Sequence, residues 1–148
     1  MGYEIVRLDG NGEPKRVHSA DDQNYFRLNV DVMGRARTLA LWGAGVLLNT
    51  DMLDYTMVSA ALRHKQPSLE EVYAVHELAD EAMTEWIKPF VDNDKATASY
   101  KQCCDFADNL QKALTEIRDS PVKPDYETKI LWAFVDFLQG STLGVWVE

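Results

Sequence analysis

The spacing of apolar residues along the chain predicts about five helices. Apolar side chains recur every three or four positions, most clearly in the second half of the chain, and this spacing places them on one side of a helix. The first predicted helix begins after Asn29 and ends at Gly43 or Gly45. The second, third and fourth run from Met52 to Lys65, from Leu69 to Lys88 and from Lys95 to Arg118. The fifth begins in the turn of Asp125 and Glu127 and ends at Gly140.

Residues that start and stop helices flank these stretches. Asn29 is placed to cap the first helix, and Asn93 or Asp94 to cap the fourth. Ser68–Glu71 forms a capping box, in which the serine caps the third helix and the glutamate bonds back to it. Pro89 then ends or kinks that helix, because proline cannot donate a backbone hydrogen bond.

The same spacing assigns an inward face to the helices. Gly34 lies inside the first helix, where glycine costs roughly 1 kcal/mol relative to alanine, and close packing is the expected reason for it. The residues expected to face inward are Met33, Ala36 and Ala40 in the first helix, Tyr100, Cys103, Ala107, Leu110, Leu114 and Ile117 in the fourth, and Ile130, Ala133, Phe134, Phe137 and Leu138 in the fifth.

Strands are expected near the two ends of the chain. Tyr3–Asp9 alternates apolar and polar residues, the turn Gly10–Gly12 follows, and Lys15–His18 is expected to return as a second strand. Tyr25–Leu28 is either a third strand or an extended lead into the first helix, and Leu143–Val147 reads as a final strand. These elements predict one α+β domain, predominantly helical, in which the helices pack on a small antiparallel sheet formed by the N-terminal hairpin and the C-terminal strand.

The net charge of −9 is unevenly distributed. Residues 1–65 hold eight bases and eight acids, whereas residues 66–148 hold seven bases and sixteen acids. A surface of this kind repels nucleic acid and anionic membranes and attracts basic partners. We therefore expect another protein as the partner, with a basic surface, and neither direct nucleic-acid binding nor membrane binding.

Cysteine usage and the apolar runs favour a cytoplasmic protein. Cys103 and Cys104 are adjacent on a predicted helix, point in different directions and supply no disulfide framework, which is typical of a reducing compartment. The first long apolar run, Leu39–Leu48, begins far from the N-terminal methionine and has half of the roughly 20 residues that a bilayer span needs.

Candidate catalytic chemistry is sparse. His76 and Asp80 share a helical face, but the zinc-protease pattern needs a second histidine where Asp80 stands. The two readings of this pair are a partly buried hydrogen-bonded pair and a metal or catalytic site. Cys103 lies in an apolar stripe, where a thiol is usually inert. The sequence therefore predicts no catalytic residue, no metal site and no cofactor.

Three arginines gather around the start of the first helix, namely Arg27, Arg35 and Arg37. One reading is an anion or phosphate site that also uses the N-terminus of that helix. The other is that these arginines pair with carboxylates of the acidic second half and tie the two parts together.

The third predicted helix has an acidic outer face. Glu70, Glu77 and Glu81 lie along one ridge with Lys88, and Glu85 adds a further charge. The ridge is either a solvated face or a docking surface for a basic groove.

These observations lead to a non-enzymatic acidic protein-binding module of the inhibitor, immunity-factor or adaptor type, docking on a basic protein surface. A first alternative is a small enzyme or ligand-binding domain that uses His76, Asp80 and an arginine of the N-terminal half. A second is a structural subunit that self-associates into a homo-oligomer.

Overall fold

A computed structural model describes residues 2–45, 85–91, 94–121, 123–124 and 126–148. The described part is an α+β fold with a small antiparallel sheet, as the sequence predicts. The strands are β1 Gly2–Arg7, β2 Tyr25–Asn29, β3 Ala96–Ala98 and β4 Val145–Val147; the helices are α1 Val30–Gly43, α2 Tyr100–Asp119 and α3 Lys129–Gln139, and a 3₁₀ turn covers Lys88–Phe90.

The prediction of about five helices is not matched, since three α-helices are found in the part of the chain that the structure describes. The second predicted helix, 52–65, lies outside the described residues, as does nearly all of the third, 69–88. Residues 85–87 form a turn ahead of the 3₁₀ segment, in which Pro89 occupies one of the first positions.

The four strands are ordered β2-β1-β4-β3, and every neighbouring pair is antiparallel. The C-terminal strand β4 therefore lies inside the sheet, between β1 and β3. Val6 of β1 is paired with Tyr25 of β2 on one side and with Trp146 of β4 on the other. The predicted pairing of the C-terminal strand with the N-terminal region is confirmed.

The predicted second strand, Lys15–His18, is wrong. One isolated bridge joins Leu8 to Pro14, and the amide of Lys15 donates to the carbonyl of Arg7, but Arg7 returns no bond to Lys15 and the ladder stops there. The backbone amide of Arg7 donates instead to the carbonyl of Asn24, 2.9 Å away. The segment Tyr25–Leu28, for which the sequence predicted either a strand or an extended lead into the first helix, forms part of β2, and β2 is the partner of β1.

Helix α2 begins five residues after its predicted start. Ser99 caps it, and its side chain accepts from the backbone amide of Gln102 while the Gln102 side chain accepts from the amide of Ser99. The residues just before this capping box form β3 instead of a first helical turn. Tyr100 is exposed at the first helical position, in contrast to its predicted inward place, whereas Cys103 and the rest of the predicted stripe are buried.

Helix α3 begins at Lys129, after the turn that was expected to start it. Ile130 and Ala133 were predicted to face inward but are exposed, and Leu131 and Val135 are buried instead. The sequence could not select this face, because Ile130 and Ala133 have helical spacing to Phe134 and Phe137, just as Leu131 and Val135 have to Phe134 and Leu138. Phe134, Phe137 and Leu138 are buried as predicted.

Phenylalanine rings join the sheet to the helices. Phe106 of α2 lies 4.9 Å from Phe90 of the 3₁₀ turn and 5.7 Å from Phe134 of α3, measured between ring centroids. Phe26 of β2 stacks on Phe134 at 5.4 Å. Edge-to-face and offset contacts at these distances add to the free energy gained by burial alone. One ring from each element thus meets at a single centre.

Helix α1 follows its prediction closely except at one glycine. The Asn29 side chain accepts from the amide of Val32 at 2.8 Å, and the predicted inward residues Met33, Ala36 and Ala40 are fully buried. A methyl group on Gly34 would meet no described atom within 4 Å, so close packing does not account for that residue. The close contact is at Gly43, where a methyl group would collide with the backbone carbonyl of Asn109 in α2.

Substituting each of the two glycines of α1 by alanine should have opposite effects on stability. Gly43→Ala should lower the free energy of unfolding by about 1–3 kcal/mol, because the methyl group forces two helix backbones apart. Gly34→Ala should raise it by about 0.5–1 kcal/mol through better helix propensity. Urea unfolding of both variants measures the difference, and equal stabilities would contradict the assigned contact.

Candidate functional site

In the part of the chain that the structure describes, the helices pack on one side of the sheet. Alternate residues of a strand point to opposite sides, and the inward set is buried in the core: Tyr3, Ile5, Leu28, Ala98, Val145 and Val147. We call the opposite side the outer sheet face; it consists of Glu4, Val6, Tyr25, Arg27, Thr97, Trp146 and Glu148.

A row of side chains crosses all four strands in the middle of the outer sheet face. Tyr25 is in register with Val6, Val6 with Trp146, and Trp146 with Thr97. The first three of these residues are half-buried, and Thr97 is exposed. Side chains opposite each other on one face lie about 4.5–5.5 Å apart at Cβ, so the row forms a continuous strip of mainly aromatic and aliphatic surface.

A charged row lies beside this strip. Glu4 is in register with Arg27. The amide of Glu4 donates to the carbonyl of Glu148 at 2.7 Å, and the amide of Glu148 donates to the carbonyl of Glu4 at 2.9 Å. All three charged side chains belong to exposed residues. The outer sheet face therefore combines an apolar strip with two carboxylates and one guanidinium.

Each aromatic ring of the strip has its polar atom tied to a carboxylate of the charged row. The Tyr25 hydroxyl donates to Glu4 Oε1 at 3.0 Å, and Trp146 Nε1 donates to Glu148 Oε2 at 3.3 Å. Partial burial, then the hydrogen bond to Glu4 and the charge of that carboxylate, raise the pKa of Tyr25. These bonds orient both half-buried rings on the outer sheet face.

Trp146 and Tyr25 were not predicted as site residues, although the sequence carries a signal for the first. In the predicted strand 143–147 the two valines flank Trp146, so alternation alone places the tryptophan on the opposite side from them. What the sequence lacked was the side on which the helices pack. Tyr25 gave no comparable signal, because its segment had two readings.

The predicted acidic ridge is described only at one end. Glu70, Glu77 and Glu81 lie outside the described residues. Glu85 is exposed, its carboxylate lies 3.3 Å from Lys88 Nζ, and its carbonyl accepts from Gln102 Nε2 at 2.9 Å. An exposed ion pair of this kind contributes little to stability. The docking role of the ridge stays a prediction.

The three arginines of the predicted anion site contact different parts of the fold. Arg27 lies on the outer sheet face, whereas Arg35 and Arg37 lie on α1, on the inner side of the sheet. Arg37 Nη1 donates to the Tyr3 hydroxyl at 3.0 Å and to the Phe90 carbonyl at 2.9 Å, and the Arg35 guanidinium lies 5.0 Å from the Tyr126 ring. The structure does not bring the three together, and an anion site built from them stays a prediction.

The remaining candidates for chemistry are one histidine–aspartate pair, His76 with Asp80, and the thiol of Cys103. His76 and Asp80 lie outside the described residues. Cys103 is fully buried in α2, and burial, followed by the nearby Cys104, raises the pKa of its thiol to about 12. The thiolate is the reactive form of cysteine, so this environment suppresses nucleophilic chemistry. Within the described residues, no three histidine, cysteine or acidic side chains gather closely enough to hold a metal ion.

The described elements define a two-layer α+β protein whose sheet has one side in the core and one side turned outward. Comparisons with protein-family models, with curated proteins and with solved structures give no match for this chain. Among the helices of the described part, none combines the length and the apolar character needed to cross a membrane.

The two cysteines should react at very different rates in the folded protein. In a Cys104→Ser variant, Cys103 should be labelled by a thiol reagent about 100-fold more slowly than in denaturant, because the thiol is both buried and protonated. The matched Cys103→Ser variant leaves the half-buried Cys104, which should react faster. Equal native rates at mildly alkaline pH would show that Cys103 is accessible and refute its structural role.

Proposed function

We propose that this protein is a non-enzymatic binding module that docks on another protein through the outer sheet face. The observation that carries the proposal is the strip Tyr25–Val6–Trp146–Thr97, which crosses every strand on the side of the sheet away from the core. The partner we infer presents an apolar contact flanked by basic groups.

The residue types of this face are those that supply most of the binding energy in protein interfaces. Tryptophan, tyrosine and arginine dominate such positions, typically near the centre of the contact and surrounded by polar residues. Here Trp146 and Tyr25 lie in the strip and Arg27 lies at its side. Because Glu148 and Glu4 already hold the two aromatic side chains, ordering them on association costs less entropy.

Charge favours a basic partner over a second copy of the chain. The face carries two carboxylates and one guanidinium, and the whole chain has a net charge of −9. Two such surfaces repel each other, whereas a basic protein is attracted, and its association rate should fall as salt is added. Self-association through this face is therefore an outcome that the experiment must distinguish.

The decisive experiment compares two tryptophan variants of equal chemistry. Trp146→Ala removes the centre of the strip, and Trp132→Ala removes a half-buried tryptophan of α3 in the helical layer as a control. Proteins captured from the native host by the folded wild-type chain are identified, produced separately and titrated against each variant. We expect at least tenfold weaker binding for Trp146→Ala and little change for Trp132→Ala, because loss of a central interface tryptophan typically costs about 2 kcal/mol or more.

A charge variant checks the same face without touching the core. Glu4→Gln keeps an acceptor for the Tyr25 hydroxyl but removes one charge, and Glu127→Gln makes the same change in the exposed segment before α3. Glu4→Gln should slow association and flatten its salt dependence, and Glu127→Gln should not. A captured partner that binds all variants alike, capture that Trp146→Ala leaves unchanged, or a chain that only self-associates would each overturn the proposal.

A further inference from the structure

A small polar pocket lies at the end of the sheet, separate from the outer sheet face. Its volume is about 180 Å³, and its polar walls come from Arg7, Lys15, Gln23, Asn24, Ser141 and Thr142. A water molecule takes about 30 Å³ in the liquid, so the pocket has room for a small ion with several waters. It is smaller than the roughly 300–1,000 Å³ typical of sites for drug-sized ligands and cofactors.

The segments that form this pocket are tied to two adjacent residues at the C-terminal end of β1, Arg7 and Leu8. The carbonyl of Arg7 accepts from the amide of Lys15 at 2.8 Å, and the amide of Arg7 donates to the carbonyl of Asn24 at 2.9 Å. The next residue, Leu8, donates its amide to the carbonyl of Gly144 at 3.0 Å. Three loops are thus held around one position, and the pocket is part of the folded framework.

The charge of the pocket is opposite to that of the protein. Two of its lining side chains are cationic and none is a carboxylate, in a chain with 24 acids and 15 bases. In the described part of the chain, neither Arg7 nor Lys15 forms an ion pair. The nearby acid, Asp22, does not line the pocket; its carboxylate accepts from the backbone amides of His18 and Asn24 at 3.2 and 2.9 Å.

Arg7 is held in place by neutral groups. Its Nε donates to Ser141 Oγ at 3.1 Å, its Nη2 donates to the Phe137 carbonyl at 3.0 Å, and its guanidinium lies 4.5 Å from the Phe137 ring centroid. These contacts explain its structural role, since a cation is favourable at the C-terminal end of α3. They use two of the five N–H donors of a guanidinium and bring no opposite charge.

Two neighbouring features support this orientation. Ser141 also donates its hydroxyl hydrogen to the Phe137 carbonyl at 2.7 Å, which leaves its oxygen available to accept from Arg7. A methyl group on Gly140 would come within 2.9 Å of Arg7 Nη2, so the glycine leaves space for the guanidinium. Partial burial lowers the pKa of Arg7.

We propose that this pocket binds a small tetrahedral oxyanion, phosphate or sulfate, free or as the terminal group of a small molecule. Arg7 supplies directed N–H donors, Lys15 supplies a second charge, and the side chains of Gln23, Asn24 and Thr142 supply the neutral donors that such an ion needs. This inference does not depend on the docking role of the outer sheet face.

The test titrates the full chain, in chloride buffer, with inorganic phosphate, sulfate and a small phosphomonoester. Calorimetry gives the affinity, and amide NMR shifts locate the site. We expect saturable binding with a Kd below about 1 mM, with shifts at Leu8, Lys15, Asn24 and Thr142 and none in the middle of α2. Tighter binding of the monoester than of inorganic phosphate would assign the site to a phosphate carried on a molecule, and the reverse would assign it to the free ion.

Variants separate this pocket from general attraction between an ion and a protein. Arg7 also supports α3, so its substitution can disturb folding, and Lys15→Gln is the informative change because Lys15 is exposed and its backbone bonds are kept. Lys129→Gln removes the same charge at an exposed position of α3. At least tenfold weaker phosphate binding in Lys15→Gln, with Lys129→Gln unchanged, is the expected result. Equal affinities of the two variants, shifts away from the pocket, or no saturable binding would overturn the proposal.

Discussion

The insertion of the last strand, β4, between β1 and β3 is the constraint on which most of the described fold depends. It joins the two ends of the chain and gives β1 a partner on each side. Because its two valines are fully buried, the intervening Trp146 is turned to the outer sheet face. The connection that leads into β4 is drawn against Leu8 by the bond to Gly144, and this closes one wall of the polar pocket.

The helices are placed by a second contact, the meeting of phenylalanine rings from β2, the 3₁₀ turn, α2 and α3. A ring from each element fills the same centre, so none of these elements can shift alone without opening a cavity. The close approach of α1 to α2 at Gly43 adds a backbone contact that leaves no room for a side chain. Within the described residues, the helical layer therefore holds the sheet from one side.

Electrostatics differ between the chain as a whole and its local surfaces. The net charge of −9 governs long-range attraction and favours basic partners. At short range the fold creates an exception, a pocket lined by Arg7 and Lys15 without a carboxylate. Net charge along the sequence cannot reveal such a site, because the lining residues come from four separate segments of the chain.

The sequence by itself determined the elements that rest on local physics. Asn29 caps α1, Gly43 ends it, Gly140 follows the end of α3, and the tail forms a strand, since caps, turns and alternation act between near neighbours. The class, α+β with a small antiparallel sheet, followed from these elements.

Only the tertiary structure decided the features that depend on competition between distant residues. The amide of Arg7 donates to Asn24 and not to Lys15, so β1 pairs with β2 in place of Lys15–His18. The capping box at Ser99 frees residues 96–98 to pair with β4, and packing selects one of two overlapping apolar stripes of α3. The two candidate sites belong to this second group, because the outer sheet face and the polar pocket each assemble residues from both ends of the chain. Local rules govern residues a few positions apart, whereas burial and pairing across the chain decide which of several locally acceptable arrangements has the lowest free energy.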